Sequence, residues 1–244
     1  MNISLAAEPV FYFLGLKITN SLLATWMVMG LLIGLAYFLG KKIKTIPKGF
    51  QNLFEMIFEA FLGLTEAVAG NKSRLFFPLT FTLFLFILIS NWFGLLPFVG
   101  SLGFHEEIHG KEIFVPLLRA ATSDLNTTLA LALISLTAIQ YHGVKHLHLS
   151  YFKKFFDLGS PIKFFVSLLE LISEFSKILS FSFRLFGNIF AGEVLLMVIA
   201  FLLPFIGPLP FFGLELFVGF VQALVFGMLT LVFLNVATIG HEEH

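Results

Sequence analysis

Long stretches without a charged residue constrain this chain more than any other feature of its sequence. A helix that spans a bilayer needs about 20 apolar residues, and residues 18–40 contain no Asp, Glu, Lys or Arg. Charged residues make up 12% of the chain, against about 25% in soluble domains. A water-soluble fold of 244 residues could not bury this much apolar surface. The sequence therefore predicts an all-α, polytopic integral membrane protein.

Five segments are long and apolar enough to cross the bilayer as helices. We place them at residues 18–40, 76–97, 117–141, 164–203 and 211–240, within a single membrane domain formed by residues 1–244. The last two are too long to stand upright, because 40 and 30 helical residues reach about 60 and 45 Å while the hydrocarbon core is about 30 Å thick. We expect both helices to tilt strongly, break or run partly along the membrane.

Residues 50–69 form a segment of a different kind. Apolar residues recur there at helical spacing, and Gln51, Asn52 and three Glu residues occupy the other face. We expect an amphipathic helix that lies in the cytoplasmic interface of the membrane. A helix on a soluble core is the alternative, but no soluble core is evident in the sequence.

Basic residues indicate the orientation. Ten Lys and Arg residues lie in or beside the connections from the first to the second span and from the third to the fourth, whereas Lys17, Lys111 and Arg119 belong to the other side. Cytoplasmic connections carry the excess of basic residues. The N-terminus is therefore predicted outside and the C-terminus inside.

Charged side chains within the spans need a reason, because a charge in a bilayer costs from about 2.5 to more than 10 kcal/mol. At about 100° per residue, one face of the fourth span collects six polar side chains: Arg184, Asn188, Lys177, Ser173, Glu170 and Glu174. For Glu170 and Lys177 a second interpretation stays open, in which they snorkel to the cytoplasmic interface.

A second row of polar side chains is expected where the last two helices pack antiparallel. Glu193 falls about 180° from Arg184, while Glu215 and Gln222 are seven residues apart and share a face of the last helix. Arg184 could form a structural ion pair with Glu193 or Glu215, or these groups could conduct an ion. Because an arginine, several carboxylates and two amides fall on adjacent helices, we favour ion conduction.

Polar residues at the edges of the spans have simpler explanations. Asp124 and Asn126 stand near the start of the third span, where we favour a helix cap formed by Asp124 with Ser123 over a conduction role. All seven His residues fall in loops or at the C-terminus. His142 and His146 have the spacing of metal ligands, but beside basic residues we expect them to meet lipid headgroups. We therefore predict no metal site.

Several segments resemble one family. The run SFRLFGNIFAGEVLLMVIAFLLP, residues 182–204, resembles the signature helix of ATP synthase subunit a. The downstream EL…VQALVFGMLTLVFLNVA resembles the last helix of that family, and NWFGLLP and DLNTTLALAL resemble its second and third spans. The resemblance extends over most of the chain from about Lys17 onward.

This resemblance implies an ion-translocating stator subunit of a rotary F-type ATP synthase, most readily for protons. It implies two offset half-channels, one opening to each side of the membrane, with an arginine between them. Arg184 matches the essential arginine, Asn188 the asparagine one turn further, Gln222 the glutamine and Glu193 the carboxylate of the outer half-channel.

Two further positions and the partners follow from the same resemblance. Glu170 matches a carboxylate on the cytoplasmic side, and Glu215 stands where members have His or Glu. The implied partners are a ring of c-subunits, b-type peripheral stalk subunits and the remainder of the F-type ATP synthase, in the lipid bilayer of a bacterial plasma (inner) membrane.

Other function classes find less support in the sequence. No Gly-rich Lys-Ser/Thr loop is present, so we expect no nucleotide, cofactor or catalytic site in this chain, and its zero net charge suggests no nucleic-acid partner. A stand-alone ion channel or secondary transporter remains the alternative, although we find no internal repeat of the kind frequent in transporters. A haem-binding anchor would need His residues within the spans.

Overall fold

Six long helices form most of the described part of the chain. The computed structural model describes residues 7–13, 15–41, 49–108, 111–148, 151, 155, 159–204 and 206–239. The helices are α1 Asn20–Lys41, α2 Phe50–Ala69, α3 Ser73–Gly94, α4 Leu125–Leu147, α5 Pro161–Leu202 and α6 Pro208–Thr238. Five helical segments, with α2 and α3 counted as one, are long and apolar enough to cross a membrane. The predicted all-α, polytopic class is confirmed.

Two β-hairpins were not predicted from the sequence. The strands are β1 Pro9–Phe13, β2 Leu16–Thr19, β3 Gly103–Ile108 and β4 Lys111–Pro116, and each consecutive pair is antiparallel. The second hairpin lies in the connection between α3 and α4. Both hairpins are too short to give a strong alternating pattern, which is why the sequence did not reveal them.

The start of α4 corrects the predicted third span, residues 117–141. The helix is Leu125–Leu147, because residues 117–120 are not helical and Ala121–Ser123 form a 3-10 turn. Asp124 then caps the helix by accepting a hydrogen bond from the backbone N of Asn126 at 3.0 Å. The cap outweighs the apolar run before it. The other four helices predicted as spans begin and end within three residues of the predicted bounds.

Helices α3 and α6 pack antiparallel at the centre of the molecule. Lys72 Nζ donates to the carbonyl oxygen of Thr238 at 2.9 Å, and at the other end Asn91 Nδ2 donates to that of Gly219 at 2.9 Å. The approach is close, since a Cβ added at Gly219 would lie 3.1 Å from the Cβ of Asn91. Small residues at such crossings allow backbones to pack closely in a membrane.

Helix α5 packs antiparallel to both α4 and α6. The hydroxyls of Ser182 and Thr128 are 3.1 Å apart and join α5 to α4, while the rings of Phe181 and Phe226 are 4.9 Å apart and join α5 to α6. With 42 and 31 residues, α5 and α6 are about 63 and 46 Å long. Both exceed the hydrocarbon core of about 30 Å.

Helix α2 has its predicted bounds and packs against α3 and α6. The rings of Phe58 and Phe77 are 4.5 Å apart, those of Phe61 and Phe84 are 5.0 Å apart, and the first turns of the helix leave apolar side chains exposed. Protein therefore covers part of the apolar face that was expected to meet lipid. The position of α2 at the membrane interface stays a prediction.

Candidate functional site

Arg184 lies near the middle of α5 with its side chain exposed. Its Nη2 donates to Ser180 Oγ, one turn earlier, at 2.9 Å. Among the described residues Arg184 forms no ion pair, and Glu193, which had been considered as its partner, pairs with Arg119 instead. Asn188 is exposed one turn further along α5, so both side chains remain available to a group outside this chain.

Gln222 lies beside Arg184. Both side chains line a small crevice together with Leu185 and Phe226. Glu215 and Gln222 are seven residues apart, so they contact α5 at levels about 10 Å apart along its axis. Gln222 thus lies at the level of Arg184 and Glu215 at the level of Gly192, and it stays a prediction that Glu193, Glu215 and Gln222 line one half-channel.

Glu215 lies against the residue that precedes Glu193. It is buried in α6, and its carboxyl occupies the space beside Gly192, where an added Cβ would overlap it. Only glycine leaves this space free. The antiparallel packing predicted for the last two helices thus brings the carboxyls of Glu193 and Glu215 to the same level of the bundle.

Arg119 joins this group from the loop before α4. Its Nε lies 3.6 Å from Glu193 Oε1 and donates to Ser123 Oγ at 3.1 Å. Its guanidinium carbon is 5.8 Å from the centre of the Phe190 ring. The second oxygen of Glu193, Oε2, is buried and has no hydrogen-bond partner among the described residues. The term Arg119 cluster is used for Arg119, Ser123, Asp124, Glu193 and Glu215.

Asp124 ties the Arg119 cluster to α1. Besides capping α4, its Oδ2 accepts a hydrogen bond from Ser21 Oγ at 2.6 Å, and its Oδ1 also accepts one from Asn126 Nδ2 at 3.2 Å. The predicted cap is confirmed for Asp124 but not for Ser123, whose hydroxyl donates to the carbonyl oxygen of Ala120. Asp124 and Asn126 thus have structural roles at the start of the helix.

A second polar group lies on the other side of Arg184. Glu174 is buried, and its two oxygens accept hydrogen bonds from Lys177 Nζ at 2.7 Å and from Gln140 Nε2 at 3.0 Å. Tyr151 donates to Gln140 Oε1 at 2.6 Å. The term Glu174 cluster is used for these four residues, and Glu170 lies one turn before Glu174, half-buried.

Tyr151 is held as a hydrogen-bond donor. Burial, together with the carboxylates of Glu174 and Glu170, raises the pKa of Tyr151 to about 12, so its phenol stays protonated at neutral pH. Its ring fits against α4 only because residue 143 is Gly, where an added Cβ would overlap the ring. Glycine one turn after Gln140 is the signal by which the sequence could have revealed this contact.

The sequence analysis did not identify three residues of the clusters: Gln140 and Tyr151, which are neutral, and Arg119, which lies in a loop. Gln140 and Tyr151 belong to no charged pattern, while Arg119 was counted only as a charge on the outer side. His142, by contrast, was expected to meet lipid headgroups. Its ring packs edge-on against Phe76, with centres 5.4 Å apart, and its contact with headgroups stays a prediction.

The two clusters lie on opposite sides of Arg184 along α5. Glu174 is ten residues before Arg184 and Glu193 nine residues after it, which correspond to about 15 and 14 Å along the helix. Each cluster contains carboxylates, which can bind and release protons. The arrangement offers two protonatable levels with a permanent positive charge between them.

Comparison with known proteins supports one family. The family model of the ATP synthase A chain matches residues 22–235. The chain is 39% identical to a protein of Gloeobacter violaceus named ATP synthase subunit a, over 226 residues that cover 92% of this chain and 86% of that relative. Both clusters and Arg184 fall within the matched residues.

Proposed function

The chain belongs to the ATP synthase A chain family, and from that premise we propose that Arg184 separates two half-channels that lead protons to and from a rotating ring of c-subunits. The chain is a multi-pass membrane component of the ATP synthase complex and belongs to its proton-translocating part. The observation that carries the proposal is the position of Arg184, exposed and without an ion pair in the described chain, between the two clusters.

An arginine suits this position for a physical reason. Its guanidinium stays charged even in a poor solvent, unlike the ammonium of lysine. A ring carboxylate that passes Arg184 is held ionised by the opposite charge, so it gives its proton to one half-channel and takes the next from the other. The same charge repels protons and prevents a direct leak between the half-channels. The membrane potential supplies about 2.3 kcal/mol per charge per 100 mV.

The clusters supply candidates for the two routes. Glu193 and Glu215 line the outer half-channel, because they lie at the same level of the bundle and one oxygen of Glu193 is without a partner among the described residues. Glu170 serves the cytoplasmic half-channel, beside the Glu174 cluster. Gln222 and Asn188 act next to Arg184, where the ring carboxylate passes.

The orientation and the partners complete the proposal. With the N-terminus outside and the C-terminus in the cytoplasm, as the basic residues predict, the Arg119 cluster faces the outside of a bacterial plasma (inner) membrane. The exposed face of α5 meets the c-ring, and b-type peripheral stalk subunits hold the chain against rotation. Catalysis takes place on other subunits of the complex.

The decisive test changes Arg184 in the assembled complex. We expect Arg184→Ala to assemble, to lose ATP-driven acidification of inverted vesicles and to leak protons passively, because the barrier between the half-channels is gone. Arg184→Lys should also fail to couple, since a desolvated ammonium can lose its proton. Lys145→Ala, which removes an exposed cation from α4, is the matched control and should pump normally.

Two outcomes would contradict the proposal. Normal pumping by Arg184→Ala or Arg184→Lys would show that the arginine does not separate the half-channels. If the chain purified in mild detergent brought down no c-subunits and no nucleotide-binding subunits, and conducted ions by itself in liposomes, the stand-alone channel would be the better description.

A further inference from the structure

Arg119 is buried against Glu193, and this contact concerns the step at which protons enter the outer half-channel. We infer that Arg119 is a positioning residue for proton translocation: it holds one oxygen of Glu193 so that the other faces the proton path. The inference rests on the proposed function and adds to it a residue that touches neither the ring nor Arg184.

The contact is asymmetric in two ways. The side chain of Arg119 is 8% exposed and that of Glu193 is 32% exposed, so the guanidinium is the more enclosed partner of the pair. Arg119 Nε lies 3.6 Å from Oε1 of Glu193, whereas Oε2 has no hydrogen-bond partner among the described residues. One oxygen is thus tethered to a fixed charge, and the other is left to exchange partners.

The direction of the guanidinium is fixed by its neighbours. Arg119 Nε donates to Ser123 Oγ at 3.1 Å, and the guanidinium carbon lies 5.8 Å from the centre of the Phe190 ring. Phe190 stands one turn before Glu193 in α5, and an aromatic face attracts a guanidinium at this distance. The contacts with Ser123 and Phe190 therefore fix the position of the Arg119 guanidinium independently of its ion pair with Glu193.

The loop that carries Arg119 is itself held by two other helices. Thr122 Oγ1 donates to Asn91 Oδ1 of α3 at 2.7 Å, and Gly94 at the end of α3 packs so closely that an added Cβ would overlap the Cβ of Ala120. Asp124 Oδ2 accepts the hydrogen bond from Ser21 of α1. Arg119 therefore cannot follow Glu193 if α5 moves, and it acts as a fixed reference for that carboxylate.

The local charges explain why a cation is needed there. Among the described residues, Arg119 in the loop and Glu215 in α6 are charged groups that lie against this part of α5, whereas the Asp124 carboxylate at the start of α4 accepts hydrogen bonds from Ser21 and Asn126. Without Arg119, the carboxyls of Glu193 and Glu215 would lie near each other without this counter-charge. Removing one partner of a buried ion pair leaves the other charge uncompensated, and Glu193 would then leave its position.

The test is a double-mutant cycle in the complete complex, with Arg119→Gln, Glu193→Gln and the two together. We measure ATP-driven acidification of inverted vesicles, and passive proton conductance after removal of the soluble subunits, each per amount of assembled complex. Arg119→Gln should lower both rates about tenfold to a hundredfold, the range expected when a reacting group is misplaced by about 1 Å. In the Glu193→Gln background, Arg119→Gln should cause no further loss.

Two further variants separate positioning from a structural role. Arg119→Lys keeps the charge and should restore at least half of the rate of the unmodified complex, which a purely structural contact of the guanidinium would not predict. Lys17→Gln removes an exposed cation from the same predicted side of the membrane and should pump normally. It controls for the loss of a positive charge as such.

The outcomes distinguish this inference from the proposed function. Three results would overturn the inference. The first is a normal rate for Arg119→Gln, and the second is a loss of rate in the double variant equal to the product of the two single losses. The third is a loss of rate that the amount of assembled complex explains and that Arg119→Lys does not restore. If any of these occurs while Arg184→Ala abolishes pumping, the proposed function stands and only the role of Arg119 fails. Normal pumping by Arg184→Ala would remove the premise of both.

Discussion

In the Glu174 cluster both oxygens of the buried Glu174 carboxylate accept hydrogen bonds, at 2.7 and 3.0 Å. In the Arg119 cluster, by contrast, one oxygen of Glu193 lies 3.6 Å from the Arg119 guanidinium, and the other has no hydrogen-bond partner among the described residues. The two clusters occupy opposite ends of the contact between α5 and the bundle. Both contain carboxylates and a cation, but among the described residues Glu174 has partners for both of its oxygens and Glu193 does not.

We interpret this difference as one between a structural carboxylate and a carboxylate that can exchange a proton. A buried polar network in which every member is satisfied makes a fold rigid, whereas an unsatisfied buried oxygen is costly and calls for an explanation. A carboxylate that must accept and release a proton cannot keep both oxygens in short, permanent hydrogen bonds. We therefore expect changes in the Arg119 cluster to affect proton flux most, and changes in the Glu174 cluster to affect stability most.

The largest expected contrast is between Glu193→Gln and Glu174→Gln, which remove the same charge from the two clusters. Glu193→Gln should lower passive proton conductance by about a hundredfold or more, the scale of a lost proton-transfer group. Glu174→Gln leaves Lys177 without its carboxylate partner, so it should reduce the yield or thermal stability of the complex and lower conductance per complex by less than about fivefold. Similar losses of conductance in both variants would remove the distinction between the clusters.

A smaller effect is expected from Gly192→Ala. The added methyl group would overlap the carboxyl of Glu215, and overpacking of this kind costs about 1–3 kcal/mol, so ATP-driven acidification should fall about tenfold. Gly213→Ala is the matched control, because nothing lies within 4 Å of its added Cβ, and it should leave the rate unchanged. Glu215→Asp, which withdraws the carboxyl by one methylene, should partly rescue Gly192→Ala. If Glu215→Asp does not raise the acidification rate of Gly192→Ala, the loss of rate is not caused by overlap with the Glu215 carboxyl.

The smallest effect on flux is expected from Tyr151→Phe. Proton conductance should stay within about twofold, while loss of the hydrogen bond to Gln140 should lower the free energy of unfolding by about 1 kcal/mol. Because the pKa of Tyr151 is raised to about 12, this contribution is fully present below pH about 10, the usual pKa of tyrosine, and is lost as the pH rises through about 12.

Alkaline titration of the phenolate absorbance checks the Tyr151 prediction. The difference between the unmodified chain and Tyr151→Phe should show one phenol that ionises about two pH units later than an ordinary tyrosine. Ionisation of that phenol near pH 10 would show that the Glu174 cluster is open to water, and the contrast with the Arg119 cluster would weaken.

The sequence predicted the elements that depend on neighbours along the chain. Uncharged apolar runs longer than about 20 residues identified the spanning helices, helical spacing of apolar residues gave the bounds of α2, and Asp124 before an apolar run gave the cap of α4. The RLFGN segment indicated the family, which the comparisons confirm. Each of these signals lies within a few turns of one segment, so no knowledge of the tertiary structure was needed.

Only the tertiary structure decided which polar groups meet. Helical spacing tells which residues share a face of one helix, but it does not fix how far two helices slide along each other. Here close contacts at Gly192, Gly219 and the loop residue Ala120 set that register, which places Gln222 beside Arg184. The partner of Glu193 is Arg119, 74 residues earlier in the chain. Such a contact depends on the packing of whole helices, because interiors are filled at near-crystalline density and tolerate only one fit.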